Sequence, residues 1–201
     1  MANKINVLEV GPRDGWQNLK QMLTFEQKLE LIGEMFDAGV QEMEVTSFVS
    51  PKAIPQMADA SELAKACIEK YPNRKLYALA PNFRGVENAV NAGITNISYV
   101  ISVSESHNKA NIRRTHEESL AELQKIMDTF PQADICVSLA TVFGCPFEGI
   151  PPIQKPVDFV FAGDHREHHP GRPEGARPEN RPELRNQKLR KRKTETDRTL
   201  T

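Results

Sequence analysis

The chain has 201 residues, a formal net charge of −1 and 39% hydrophobic residues. That is enough for one domain with a sizeable core, and too neutral for a global pull toward nucleic acid or a membrane surface. Three cysteines, Cys67, Cys136 and Cys145, are too few and too irregularly spaced for a disulfide framework or a zinc site, so reduced thiols in a cytoplasmic protein are expected. No apolar run approaches the roughly 18 residues of a membrane span, and Met1-Ala2-Asn3-Lys4 leads into a strand without a charged-then-apolar leader, so neither membrane insertion nor secretion is expected.

The near-zero charge hides a division. Residues 1–150 carry 14 basic and 19 acidic side chains, residues 151–201 carry 12 and 8, and 7 of the 14 prolines fall in the second stretch. The chain changes character near Pro151. The reading is a folded domain over 1–150 and a tail over 151–201.

In chain order, the apolar run from Ile5 to Val10 predicts a short buried strand, broken sharply by Gly11-Pro12. Thr24 with Gln27 three residues on is a capping box, and Phe25, Leu29, Ile32 and Phe36 follow at helical spacing up to Gly39. A second strand is predicted over Val40 to Val45, and a helix carrying Leu63, Ala64, Cys67 and Ile68 runs to about Lys70. The third strand, Lys75 to Ala80, stops at Pro81-Asn82, and a short helix around Val86 to Ala92 ends at Gly93. The fourth strand, Asn96 to Val103, opens into a polar loop from Ser104 to Lys109. Thr115 and Glu118 form a second capping box, Leu120, Leu123, Met127 and Phe130 mark a helical core face, and Pro131 closes it. The fifth strand is Asp134 to Val142.

Strands alternating with helices mean an α/β fold with a parallel sheet. Five units within 150 residues keep the pace of a (β/α)8 TIM barrel, which takes roughly 250. A five-stranded doubly wound sheet stays open as the alternative. Past Ala162 the composition is dominated by Arg, Pro, Glu and Gly, so a disordered tail is expected, with a truncation or frameshift near residues 151–163 as its leading explanation. A barrel left incomplete in this way would expose the apolar edges of its outer strands, and self-association is expected.

The break after the first strand places Arg13, Asp14 and Gln17 together at a strand's C-terminal end, the edge where parallel α/β sheets bind ligands. On spacing alone, Arg13-Asp14 reads as a solvated ion pair, Glu44 as a strand-end ion-pair partner, and Gln17 and Ser47 as loop-capping groups. Ser50-Pro51-Lys52 reads as a turn, His107 and His116 as loop and first-turn polar residues, and Cys145 as structural. Trp16 is expected to pack over the barrel mouth.

The run Arg13-Asp14-Gly15-Trp16-Gln17-Asn18 resembles the signature of the metal-dependent TIM-barrel lyases and synthases, and most closely the hydroxymethylglutaryl-CoA lyase family. Glu44-Val45-Thr46-Ser47-Phe48-Val49-Ser50-Pro51-Lys52, Pro81-Asn82 and Phe143-Gly144-Cys145-Pro146-Phe147-Glu148-Gly149 look like that family's second-, third- and fifth-strand ends. The resemblance implies an enzyme of (β/α)8 type that cleaves 3-hydroxy-3-methylglutaryl-CoA to acetoacetate and acetyl-CoA. It also implies a divalent cation (Mg²⁺ or Mn²⁺), an acyl-CoA substrate and a homodimer. It assigns Asp14 as metal ligand, Arg13 as the cation that neutralises the enolate, and Glu44 as the group holding that arginine. Gln17 and Ser47 join Arg13 as substrate contacts.

Two departures matter. The family completes its metal site with a His-x-His pair and an asparagine from later strands, and no strand leads into His165, His168 and His169. Its catalytic cysteine stands on a late loop, whereas Cys145 ends the fifth strand. The resemblance therefore implies a catalytically doubtful chain. The alternatives are a synthase or lyase of the same family with another acyl-CoA substrate, or a non-enzymatic protein whose basic run (Lys188, Arg190, Lys191, Arg192, Lys193) binds phosphate-rich partners.

Overall fold

The computed structural model describes residues 6–163. Five strands, β1 (Leu8–Glu9), β2 (Glu42–Ser47), β3 (Lys75–Leu79), β4 (Asn96–Ser102) and β5 (Asp134–Ala140), alternate with α1 (Phe25–Asp37), α2 (Ala60–Lys70), α3 (Phe83–Asn91), α4 (Glu105–Ile112), α5 (His116–Thr129) and α6 (Gln154–Gly163). The strands lie in the order β1-β2-β3-β4-β5, and every pair is parallel. A doubly wound sheet reverses its strand order part-way; this one never does. The sheet is the wall of a half-barrel, which decides the alternative that the periodicity left open.

One face of the sheet carries the core. Met43, Val45, Leu76, Ala78, Ile97, Tyr99 and Ile101 project from alternate strand positions against Ile32 and Phe36 of α1, Leu63 and Cys67 of α2, Val86 of α3, and Leu123 and Ile126 of α5. Both sequence-predicted capping boxes form, with Thr24 accepting from the Gln27 N–H and Thr115 from the Glu118 N–H. Gly39 and Gly93 have φ of 106° and 95° at the ends of α1 and α3, backbone that a side chain would strain.

The ends of β2, α3 and β5 shift by two or three residues from expectation, and three stretches differ in kind. The first strand is an edge, two residues long and half-buried, with Val7 73% exposed, because only β2 lies beside it and Val10 already enters the turn. The predicted loop from Ser104 to Lys109 is the start of α4, capped by the Ser104 hydroxyl accepting from the His107 N–H. That helix has no apolar face, so periodicity could not announce it. Finally, the segment read as tail begins with a helix, α6, before residues 164–201, which lie outside the described residues together with His165, His168, His169 and the basic run.

Candidate active site at the C-terminal edge of the sheet

Residues Gly11–Gly15 form one π-helical turn immediately after β1. Pro12 fits its first turn because no N–H is needed there, and the Arg13 and Asp14 N–H groups both donate to the Val10 carbonyl at 3.1 and 2.7 Å. The Glu9 carboxylate accepts the Gly11 N–H at 2.6 Å, and a Cβ at Gly11 would lie only 2.9 Å from that oxygen. A side chain at this position would displace the Glu9 carboxylate from its bond to the turn.

The turn throws Arg13 across to β2. Its Nε donates to Glu44 Oε2 at 2.5 Å and its Nη1 to Asp14 Oδ1 at 2.7 Å. Gln17 Nε2 donates to the same Asp14 oxygen at 3.1 Å, and Asn18 Nδ2 donates to the Asp14 carbonyl at 2.9 Å. Burial grades this cluster: the Glu44 side chain is 4% exposed, Arg13 17% and Asp14 56%. A delocalised cation that cannot be deprotonated is thus fixed by a buried carboxylate on one side, while Asp14 faces outward.

A register shift between Glu44 and Thr46 marks a bulge in β2. Just beyond it the Ser47 hydroxyl is fully buried and has no hydrogen-bond partner among the described residues. A buried unpaired hydroxyl is costly unless an enclosed water or a small shift of its neighbours supplies a bond. Asn82, at the end of β3, caps α3 by accepting the Gly85 N–H at 2.8 Å. Arg13, Asp14, Gln17 and Glu44 therefore meet, and Ser47 ends the same strand as Glu44. Trp16 is buried in the main core rather than laid over the opening.

A second polar cluster stands at the ends of β4 and β5. Ser102 Oγ and His107 Nδ1 are 2.8 Å apart, and His116 Nε2 lies 2.9 Å from the Ser102 carbonyl. Asn108, fully buried, accepts the Ser102 N–H and donates to Ser119 Oγ at 2.8 Å. No sequence pattern pointed to Asn108. The Cys145 thiol donates to Ser104 Oγ at 3.0 Å; burial pulls that thiol upward, but bonds from Ser104 and the Phe147 and Glu148 backbone outweigh it and the net direction is down. Glu148 accepts the Ser106 N–H at the start of α4, which holds its carboxyl down at about 2. None of these groups reaches metal-ligand grouping.

A divalent cation needs several hard donors converging on one point. Among the described residues no three His, Cys, Asp or Glu side chains come together, and Asp14 Oδ1 already accepts from Arg13 and Gln17. The described residues do not make a cation site by themselves.

A family model described as HMGL-like matches residues 4–155. The chain belongs to the HMGL-like family. It is 40% identical over 154 residues to a Bacillus subtilis protein named hydroxymethylglutaryl-CoA lyase YngG, covering 76% of this chain and 51% of that one. It is also 40% identical over 153 residues to the cytoplasmic 3-hydroxy-3-methylglutaryl-CoA lyase of Mus musculus, covering 75% and 44%. The structure of an HMG-CoA lyase from Acinetobacter baumannii, in complex with coenzyme A and 3-methylmalate, matches with a TM-score of 0.73 and 34% identity, covering 78% of this chain and 52% of that one. The chain thus spans about half the length of the relatives it matches. The family match ends beyond the compositional boundary at residue 150, inside α6.

Proposed function

We propose that the described residues form the substrate-orienting half of a carbon–carbon lyase site of the hydroxymethylglutaryl-CoA lyase type, acting on an acyl-CoA. The observation that carries the reading is the placement of Arg13, in the turn after β1 and pinned between Glu44 and Asp14 at the C-terminal edge of the sheet, beside the strand that ends in Ser47. Breaking the bond between C2 and C3 of such a substrate leaves negative charge on an enolate oxygen, and a fixed guanidinium is suited to receive it. Glu44 keeps Arg13 from swinging toward solvent. Ser47 and Gln17 supply a hydroxyl and an amide to a substrate oxygen.

The family's divalent cation, Mg²⁺ or Mn²⁺, would polarise the substrate hydroxyl, but the donors described here do not hold it and no step is routed through it. The reading therefore includes little or no turnover by the 201-residue chain. It also includes a cytoplasmic location, supported by three free cysteines; no helix among the described residues is long and apolar enough to cross a membrane. The test is a coupled assay for acetoacetate from hydroxymethylglutaryl-CoA, run beside equilibrium binding of the substrate. Binding that Arg13→Ala weakens at least tenfold, without turnover, supports the reading. Undiminished binding in that variant overturns it.

A further inference from the structure

The turn that carries Arg13, Asp14 and Gln17 is thinly anchored on its upstream side, where β1 pairs with β2 over only two residues. Downstream, the chain reaches α1 through a loop, and among the described residues 21–23 make no bond to other backbone. The buried Gln56 side chain takes that place. Its Oε1 accepts the Leu23 N–H at 3.1 Å and its Nε2 donates to the Gln21 carbonyl at 3.2 Å, so one amide pairs with the loop as a neighbouring strand would. Gln56 stands on a firm base: it lies in the short helical turn Pro55–Met57 after β2, and Met57 is buried with its sulfur 3.8 Å from the Thr46 hydroxyl. Lys28 of α1 closes the arrangement. Its side chain is 2% exposed, and its ammonium donates to the Gln56 carbonyl and to both Asp59 oxygens, the latter at 2.8 and 2.9 Å. A lysine this deep keeps its charge only when its donors are paired in this way.

We propose that Lys28 and Gln56 are positioning residues of the site proposed above, on which this inference rests: they strap the turn after β1 to the stretch that follows β2 and so set where Arg13 and Gln17 meet a substrate. Neither residue touches Arg13, Asp14 or Gln17; both act through the loop. The Arg13–Glu44 pair ties one side chain of the turn to β2, whereas the strap ties the backbone that leads out of the turn. Apolar residues in place of Lys28 and Asp59 would hold α1 against this stretch at a smaller desolvation cost. The two directed bonds of the Gln56 amide do what apolar contact does not: they fix the register of the loop as well as its distance. A misplacement of about 1 Å at a site can cost about 100-fold, so register here bears on function.

Native-state hydrogen exchange, Trp16 emission and equilibrium binding of hydroxymethylglutaryl-CoA test the proposal on the 201-residue chain, well below its melting temperature. Trp16 is the only tryptophan and directly follows the π-helical turn, so its emission reports on the turn itself. Gln56→Met keeps the side chain unbranched and removes both bonds to the loop. Lys28→Met removes no bond to the loop and leaves Asp59, 26% exposed, to water. In both variants the Leu23 amide is expected to exchange at least about tenfold faster and Trp16 emission to shift to the red, with the helical circular dichroism unchanged. Substrate binding is expected to weaken about 10–100-fold. The Lys28→Met result separates a strap from the mere loss of a loop bond, because its effect on Leu23 has to pass through Gln56. An unchanged Leu23 amide and Trp16 emission in Lys28→Met overturn the proposal, and so does a loosened loop that binds substrate as the unmodified chain does. If the unmodified chain binds no substrate, the function proposed above falls, and exchange and emission decide the strap without it.

Discussion

Arg13 Nε lies 2.5 Å from Glu44 Oε2, joining residues 31 positions apart across the first two strands. This contact fixes where the only strongly held cation of the site points. Glu44 is 3% exposed, so deleting its carboxylate leaves a guanidinium in a largely dry setting with Asp14 alone as counter-charge. Breaking a buried pair by removing one partner costs about 3–5 kcal/mol, reduced here because Arg13 retains some solvent. Glu44→Ala is expected to lower unfolding stability by about 2–4 kcal/mol, and Glu44→Gln, which keeps an acceptor oxygen, by about half as much. Urea denaturation decides it. A Glu44→Ala curve superimposed on that of the unmodified chain removes the clamp from the argument.

The residues of the proposed site were picked out by resemblance to the family's motifs, before any fold was in view. The run from Arg13 to Asn18 and the strand end at Glu44 to Ser47 carried the resemblance that implied the chemistry, and strand spacing put both at one edge of the sheet. The Arg13 pairs with Asp14 and Glu44 were expected; what the sequence could not show was the Gln17 bond to Asp14 or the unpartnered Ser47 hydroxyl. Asp14 is engaged by Arg13 and Gln17, and Ser47 is without a partner among the described residues, just past a register shift in β2 that a strict alternation does not anticipate. Helix α4 escaped for a different reason. It is held by the Ser104 cap and the Asn108 amide rather than by an apolar stripe, so nothing in its hydrophobic pattern distinguishes it from a loop.

The loop after β5 should loosen in acid. Backbone and side-chain hydrogen bonds from Ser106 hold the Glu148 carboxyl at about 2, down from its ordinary 4.5. A depressed carboxyl contributes stability above its unfolded value, and that contribution fades as pH falls from about 4.5 toward 2. Glu148→Gln should therefore melt below the unmodified chain at pH 7, and the gap should narrow steadily below pH 4.5. A gap that stays constant from pH 7 to pH 2.5 shows that the carboxylate is not what latches the loop.

Gly85 is expected to resist the substitution that helix propensity favours. Alanine in a helix gains about 1 kcal/mol over glycine. Here a Cβ would meet the Phe48 carbonyl oxygen at 2.9 Å and Ala80 Cβ and Pro81 Cδ at 3.3 Å each, and the carbonyl is backbone at the end of the second-strand motif. Overpacking of this kind costs about 1–3 kcal/mol. The steric term wins, so Gly85→Ala should be destabilising by about 1–2 kcal/mol. Gly15→Ala, where a Cβ meets nothing within 4 Å, should lie within about 0.5 kcal/mol of neutral. Thermal melts of both variants settle the comparison, and a stabilised Gly85→Ala contradicts the close approach.

The three thiols should separate by reactivity. Burial pushes the Cys67 thiol up to about 12, so at pH 8 only about one molecule in ten thousand carries the thiolate that reacts. Cys136 is exposed on β5. Cys145 is buried but bonded to groups that favour its thiolate. Mass-spectrometric alkylation of the native chain should modify Cys136 first, Cys145 more slowly and Cys67 only on unfolding. Early labelling of Cys67 would mean that the core between α2 and the sheet opens readily.

The last prediction concerns catalysis. Hydroxymethylglutaryl-CoA cleavage in this family relies on a divalent cation, and the described donors amount to Asp14, with one oxygen already occupied by Arg13 and Gln17. Removing even one group that orients a metal ligand commonly costs 10–100-fold in affinity, and here further ligands themselves are missing from the described set. The 201-residue chain is therefore expected to bind Mg²⁺ or Mn²⁺ no better than an exposed carboxylate does, with a dissociation constant in the millimolar range or weaker, and to give no acetoacetate above the uncatalysed rate. Titration calorimetry with each cation and the coupled assay read these two outcomes separately. A chimera in which residues 1–155 are followed by the corresponding remainder of the Bacillus subtilis relative is expected to gain further donors and to turn over. In that background Arg13→Ala should lower kcat by about 10²–10³-fold, the scale of losing one electrostatic stabiliser of a developing oxyanion. Asp14→Ala should lower cation affinity before it lowers kcat at saturating metal. Micromolar cation binding by the 201-residue chain would overturn the missing-donor argument, and a chimera indifferent to Asp14→Ala would show that the turn after β1 is not the metal side of the site.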